Sequence, residues 1–190
     1  MGSNIPQEDW TIAALKSTKK KTTAKAKAAP ARGADKKEAF HREAESRMTP
    51  FRFERPKDLP PGCKATYFLA RSDISQATIQ MVPEGGDNNL HYHPGDDGFW
   101  MVLKGKVKFY GPDGVVGVYG PNEGILVPRN ARYWFETADK KEELVILHVS
   151  SKTQQKVKNT RVNVEPANDG YKNSVRLNFP KGTEPKKTLD

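Results

Sequence analysis

The sequence predicts an all-β domain, built as a closed barrel or as two packed sheets, with a basic tail before it and a polar extension after it. Three observations carry that expectation. Short runs in which apolar and polar residues alternate follow one another from residue 51 to residue 150, the pattern of half-buried strands. Gly- and Pro-rich turns separate these runs and no helical interval intervenes, which suits a sandwich or barrel better than an α/β fold. Charge is concentrated at the ends: residues 51–150 hold 12 Lys and Arg against 13 Asp and Glu, whereas 1–50 hold 11 against 6 and 151–190 hold 9 against 4. The formal net charge of +9 therefore belongs to the tails and does not describe what the domain binds.

Three segments follow. Residues 1–50 form a tail in which 16–33 are a Lys/Ala/Thr tract without an aromatic or large aliphatic side chain. Such a stretch buries too little surface to offset its chain entropy, and disorder is the expectation. A short amphipathic helix over residues 9–15 and a charged helix over 35–47, ended by Thr49-Pro50, are the tail's helical candidates. The tract is either a solvated tail or a weak, salt-sensitive grip on a polyanion.

Residues 51–150 are the β-domain. Strands are expected to begin at Phe51 Arg52 Phe53, then at 65–70 and 76–82, each bounded by Pro and Gly. Residues 99–103 and 106–110 come next, followed by 115–119 across the Gly111-Pro112-Asp113-Gly114 turn, then 124–128, 131–136 and 144–150. Residues 151–190 are a polar extension whose runs at 162–164 and 175–179 are expected to dock as edge strands.

The chemistry gathers in one stretch, His91-Tyr92-His93-Pro94-Gly95-Asp96-Asp97-Gly98. On a strand, i and i+2 share a face, so His91 and His93 aim both imidazoles together. Imidazole is a common metal ligand and acids follow within a turn, so half of a divalent-metal site is one reading and two unrelated histidines in a hairpin is the other. His148 lies on a strand expected to run back beside Tyr133, facing inward with Leu144 and Ile146 or sitting at a rim.

This stretch, with Gly85 or Gly86 before it and Gly105 after it, resembles the first motif of the cupin superfamily. Residues 120–136, with Pro128, resemble the second. The resemblance implies a single jelly-roll barrel over residues 51–150. It also exposes two departures. The family's metal-binding Glu position falls on Gly98, and its second-motif His position falls on Tyr133. Asp97, one residue from the Glu position, is the expected replacement ligand, although Asp96 and Asp97 are equally explained as turn residues facing water. The expected metal set is His91, His93, Asp97 and His148, for iron, manganese, nickel, copper or zinc, among which nitrogen and oxygen donors do not choose.

If Gly98 starts inward, Trp100 and Val102 also face the interior, joined by Tyr133 and Phe135. An aromatic-lined pocket results, with plain core filling as the alternative for Trp100 and Phe135. Tyr133, as proton donor, and Trp100 are the catalytic candidates. Trp100, Phe135, Arg129 and Arg132 are the candidates for holding a substrate, the arginines by clamping a carboxylate or phosphate if they are not simply surface residues.

Members of the superfamily include metal-dependent dioxygenases and decarboxylases and metal-independent sugar epimerases, and fold alone does not choose among them. The favoured reading is a metal-binding enzyme acting on a small organic molecule. The alternative is a non-catalytic ligand-binding or dimerisation module whose basic tail binds nucleic acid. A homodimer is expected because small barrels often cover a sheet face that way. A single cysteine, Cys63, excludes an intramolecular disulfide framework. With no apolar run of membrane-spanning length and no signal pattern at the start, a cytoplasmic location is expected.

Overall fold

A computed structural model describes residues 32–57, 59, 62–84, 88–139, 141–158, 160–166 and 174–177. The expected helix over 9–15, the tract up to residue 31, Gly85, Gly86 and the end beyond residue 177 lie outside the described residues. The chain divides into two compact units, Met1–Met48 and Thr49–Asp190.

In the first unit, α1 spans Arg32–Ser46. It has Asp35 in its first turn and an exposed i,i+4 ion pair in which Arg42 donates from Nε to Glu38 Oε1 at 2.8 Å. Both features favour the helix locally, the first through the helix dipole and the second by a few tenths of a kcal/mol. Among the described residues no helix is long and apolar enough to cross a membrane.

The second unit is all β. The strands are β1 (Lys64–Arg71), β2 (Ser75–Val82), β3 (His91–Tyr92), β4 (Asp96–Lys104), β5 (Val107–Gly111), β6 (Gly114–Tyr119), β7 (Gly124–Val127), β8 (Trp134–Thr137), β9 (Leu144–Lys152), β10 (Val162–Asn163) and β11 (Ser174–Leu177). They form a six-stranded sheet in the order β11-β1-β2-β9-β4-β7, a three-stranded sheet β6-β5-β8 and a two-stranded ribbon β10-β3. The jelly-roll character expected of the sequence is present.

Between the sheets lies an aromatic core of Trp100, Phe109, Tyr133 and Phe135 with Val82, Val102, Val107, Leu144 and Ile146. The ring centroids of Trp100 and Phe135 are 5.1 Å apart at 60°, an edge-to-face contact that adds to the hydrophobic term. A second cluster, Ala65, Leu69, Ile79, Met81 and Val145, lies on the other face of the large sheet under Phe53 and Leu59.

Two local expectations differ from what forms. Phe51 Arg52 Phe53 makes no strand; Phe53 instead packs its ring edge-on to Tyr67 at 5.3 Å and helps close the outer cluster. The strand carrying His148 does not run back beside Tyr133. β9 crosses to the large sheet and pairs with β2 and β4, while β8 pairs with β5. The cause is apolarity on both faces: Val145 packs into the outer cluster and Leu144 and Ile146 into the inner one, which requires a central strand.

That crossover sets the polarity of the barrel. β2 alternates Gln76, Thr78, Gln80 with Ala77, Ile79, Met81. The apolar row packs outward under Phe53 and Leu59, and the polar row lines the interior. On β1, Phe68 pairs with Thr78 but Ala70 pairs with Ala77, so a bulge at Leu69 shifts the phase. Arg71, opposite Gln76, thereby joins Lys64, Thr66 and Phe68 on the interior side.

Candidate functional site

His91 and His93 stand where β3 meets the mouth of the barrel. Main-chain bonds tie His91 to Tyr133 in both directions, at 3.1 and 2.9 Å. The His91 Nδ1–H donates to the carbonyl of Asn89 at 2.7 Å, and the His93 Nδ1–H donates to the carbonyl of Thr160 at 2.6 Å. A carbonyl can only accept, so each Nδ1 carries the proton and each Nε2 keeps its lone pair. The two rings are edge-to-face at 5.1 Å, and Tyr133 lies 4.5 Å from His91, centroid to centroid.

Burial, reinforced by the charge of Arg161, lowers the His91 imidazole to about 3. Burial also lowers His148 to about 3, with His93 adding to the effect, and lowers His93 itself. All three rings are therefore neutral at neutral pH. Burial pushes the Tyr133 phenol well up, so it keeps its proton.

These rings line a cavity of about 380 Å³ whose walls come from β1, β2 and the C-terminal extension. Lys64, Arg71, Arg161 and Arg176 bring four cations to it, Gln76, Thr78, Gln80 and Asn88 bring polar groups, and among the described residues no Asp or Glu lines it. Arg161 is held in place by Nη2–H to Asn89 Oδ1 at 2.6 Å and by Nε–H to Asn163 Oδ1 at 2.9 Å. Among the described residues, three polar atoms of its lining side chains, Thr78 Oγ1, Gln80 Oε1 and Trp100 Nε1, are closed off from solvent and meet no hydrogen-bond geometry.

The expected residues sort as follows. His91, His93, His148, Trp100 and Tyr133 come together around the cavity. Trp100 and Val102 face inward, as the alternation from Gly98 requires. Phe135 is wholly buried in the core and does not line the cavity. Arg129 and Arg132 are exposed and line neither the cavity nor the recess beside it.

Asp97 requires a correction. It is exposed, on the face of β4 opposite Gly98 and Trp100, and its Oδ1 accepts the main-chain N–H of Arg129 at 2.8 Å. Strand alternation turns it away from the histidines and gives it a structural bond. The acid on the inward face is Asp96, which borders a small recess with His93, Gly98, Tyr133 and His148.

Gly98 explains why the family's acid cannot simply be restored. A Cβ there would lie 3.0 Å from Trp100 Nε1 and 3.2 Å from His148 Nε2. The volume is taken by the indole and imidazole, stacked at 3.8 Å and 9°. A resident divalent ion does not fit this donor set. Among the described residues no three His, Cys, Asp or Glu side chains come together as a metal-binding group, and Arg161 and Lys64 already place positive charge by His91.

The cationic wall was the part that sequence reasoning missed. Its residues sit on polar strand rows and in the polar extension, where exposure to water is the default reading. The available signal was the strict Gln76, Thr78, Gln80 alternation against an equally strict apolar row.

The family comparison agrees with the barrel. Residues 78–150 match the family model described as a cupin domain. No curated protein sequence matches this chain. Among solved structures, a protein with a double-stranded β-helix domain from Klebsiella pneumoniae is similar over 59% of this chain and 90% of its own, at 14% identity and TM-score 0.47. KdgF from a Halomonas species is similar over 56% and 96%, at 14% and 0.47. A cupin superfamily protein from Desulfitobacterium hafniense is similar over 56% and 99%, at 18% and 0.46.

Proposed function

We propose, from the match of residues 78–150 to the cupin-domain family model, that this chain binds a small organic molecule in the barrel, against the paired imidazoles of His91 and His93. The observation that supports this reading is the pair of Nδ1–H to carbonyl bonds, which leaves two Nε2 lone pairs on rings lining one cavity. At about 380 Å³ the cavity suits a small molecule, since ligand pockets commonly run from about 300 to 1,000 Å³.

The groups around it divide into acceptors and donors. With its conjugate acid at about 3, the His91 imidazole is a weak base, so it accepts a hydrogen bond more readily than it removes a proton. Tyr133 holds its proton, and the Trp100 indole N–H is turned to the Tyr133 phenol and away from solvent, so the phenol O–H is the donor on this side. Two imidazole acceptors and a phenol donor around one space suit a ligand bearing hydroxyl and carbonyl groups, recognised without a resident metal.

A binding screen of small hydroxylated compounds on the untagged chain tests this, with metal content measured on the same sample. Compounds that bind are expected to lose at least tenfold in affinity in His91→Gln and in His93→Gln, with metal well below one equivalent. Binding unchanged in both variants, or one equivalent of metal lost in both, would refute the reading.

A further inference from the structure

The fold covers one half of the large sheet's outer face and leaves the other half bare. Over β1 and β2, Phe53 and Leu59 close the outer cluster. Over β4 and β7 no described residue does the same: Phe99 is 47% exposed, Leu103 40% and Leu126 61%. Strand register joins these into one surface, because Leu126 lies opposite Phe99, which lies opposite Val149 of β9, and residues directly opposite share a face. Gly124, opposite Met101, leaves a gap in it. A Cβ at Gly124 would run into the Trp100 carbonyl oxygen, so the close approach of β7 to β4 keeps that gap open. A groove of about 170 Å³ lies there, with Phe99, Met101, Gly124 and Leu126 among its walls. An apolar knob, Leu126, thus stands two residues from a hole of apolar walls. Contiguous exposed apolar surface of this kind marks an interaction face.

Among the described residues, β7 is also the last strand of its sheet. The Val102 N–H donates to the Glu123 carbonyl at 2.9 Å. By alternation Ile125 and Val127 also turn their main-chain groups to β4, while Gly124 and Leu126 turn theirs to the open side. Such an edge is a template for a further strand. Charge then selects the strand. β7 has an exposed acid, Glu123, just before it and an exposed cation, Arg129, just after it. Two antiparallel copies of a strand with opposite charges at its ends set the acid of each near the cation of the other.

We propose that two copies of this chain pair through β7, antiparallel about a two-fold axis at Ile125. In that register each Leu126 lies opposite the partner's Gly124 and fills the gap there. Each Glu123 lies diagonal to the partner's Arg129, and the open main-chain groups of Gly124 and Leu126 face one another. Shape, charge and hydrogen bonding thus agree on one alignment. Pro128 has no N–H to extend the ladder, and an isologous contact closes at two copies.

Sedimentation equilibrium of the full chain tests this. Over a roughly hundredfold range of concentration, the mass is expected to rise from 21.2 kDa toward twice that value. Leu126→Lys should weaken the dimer at least tenfold. Glu123→Arg and Arg129→Glu should each weaken it several-fold, since each sets like charges side by side at both ends. Mixed in equal amounts, those two charge variants should recover a dimer, because a pair made of one of each restores both acid–cation contacts. All three positions are exposed, so the variants should fold, and an unchanged melting temperature of the monomer verifies it. Hydrogen exchange at the Leu126 amide should slow as the wild type dimerises. A chain that stays at 21.2 kDa throughout, a dimer indifferent to Leu126→Lys, charge variants that do not recover on mixing, or a dimer with an unprotected Leu126 amide would each overturn the proposal.

Discussion

Acid should destabilise this barrel through its buried histidines, and by an amount the structure sets. His91 and His148 titrate at about 3 in the folded chain, against about 6.5 when unfolded. A folded value below the unfolded one means that the unfolded chain binds protons first as pH falls. Stability from these groups is therefore fully present above pH 6.5 and is lost progressively toward pH 3. Each group contributes a slope of about 1.4 kcal/mol per pH unit in that window, so lowering the pH from 6.5 to 5.0 costs about 2 kcal/mol per histidine and about 4 kcal/mol for the pair. Most carboxylates stay ionised over that interval, which isolates the histidines. The assay is urea unfolding at several pH values between 7.5 and 5.0 for the wild type, His91→Gln and His148→Gln. Each variant is compared with itself across pH, so any fixed cost of the substitution cancels. Each variant should lose about 2 kcal/mol less than the wild type on acidification. Variants that keep the full wild-type slope would refute the assignment of these rings as buried and neutral.

Other perturbations test separate parts of the structure. Asp97→Asn should leave metal content unchanged, and Asp97→Ala should cost about 1 kcal/mol by removing the acceptor for the Arg129 amide, measured by chemical denaturation. Gly98→Glu should destabilise by about 1–3 kcal/mol, because its Cβ meets the stacked Trp100 and His148 rings before its carboxylate can reach His93. It should also shift Trp fluorescence, and a stable, metal-loaded variant would contradict the packing described. A chain beginning at Thr49 should keep its melting temperature, whereas one beginning at Gly62 should lose several degrees, since it removes Phe53 and Leu59 from the outer cluster.

What the sequence made legible follows from which physical rule governs each element. Strand positions were readable because Gly and Pro punctuate them. The facing of Trp100, Val102 and Tyr133 was readable from the motif positions of Gly98 and Tyr133 and not from polarity, since the outward row of β4 after Asp97 is Phe99, Met101 and Leu103. Polarity could not decide β2 either, whose two rows are each internally consistent: apolar Ala77, Ile79 and Met81 can face an interior or a covering segment, and only the tertiary packing of Phe53 and Leu59 chooses the second. Arg71 was beyond alternation altogether, since strict period two from an inward Phe68 puts Ala70 inside and Arg71 outside, and the bulge reverses them.

Asp97 failed as a ligand for the opposite reason. There the alternation held, and a side chain one position from Gly98 had to face away from it. These two cases explain the character of the site together. The chain kept the imidazole pair and filled the acid's place with Trp100 and His148. The phase of β1 and β2 put cationic and amide side chains on the interior wall, beside imidazoles that burial keeps neutral.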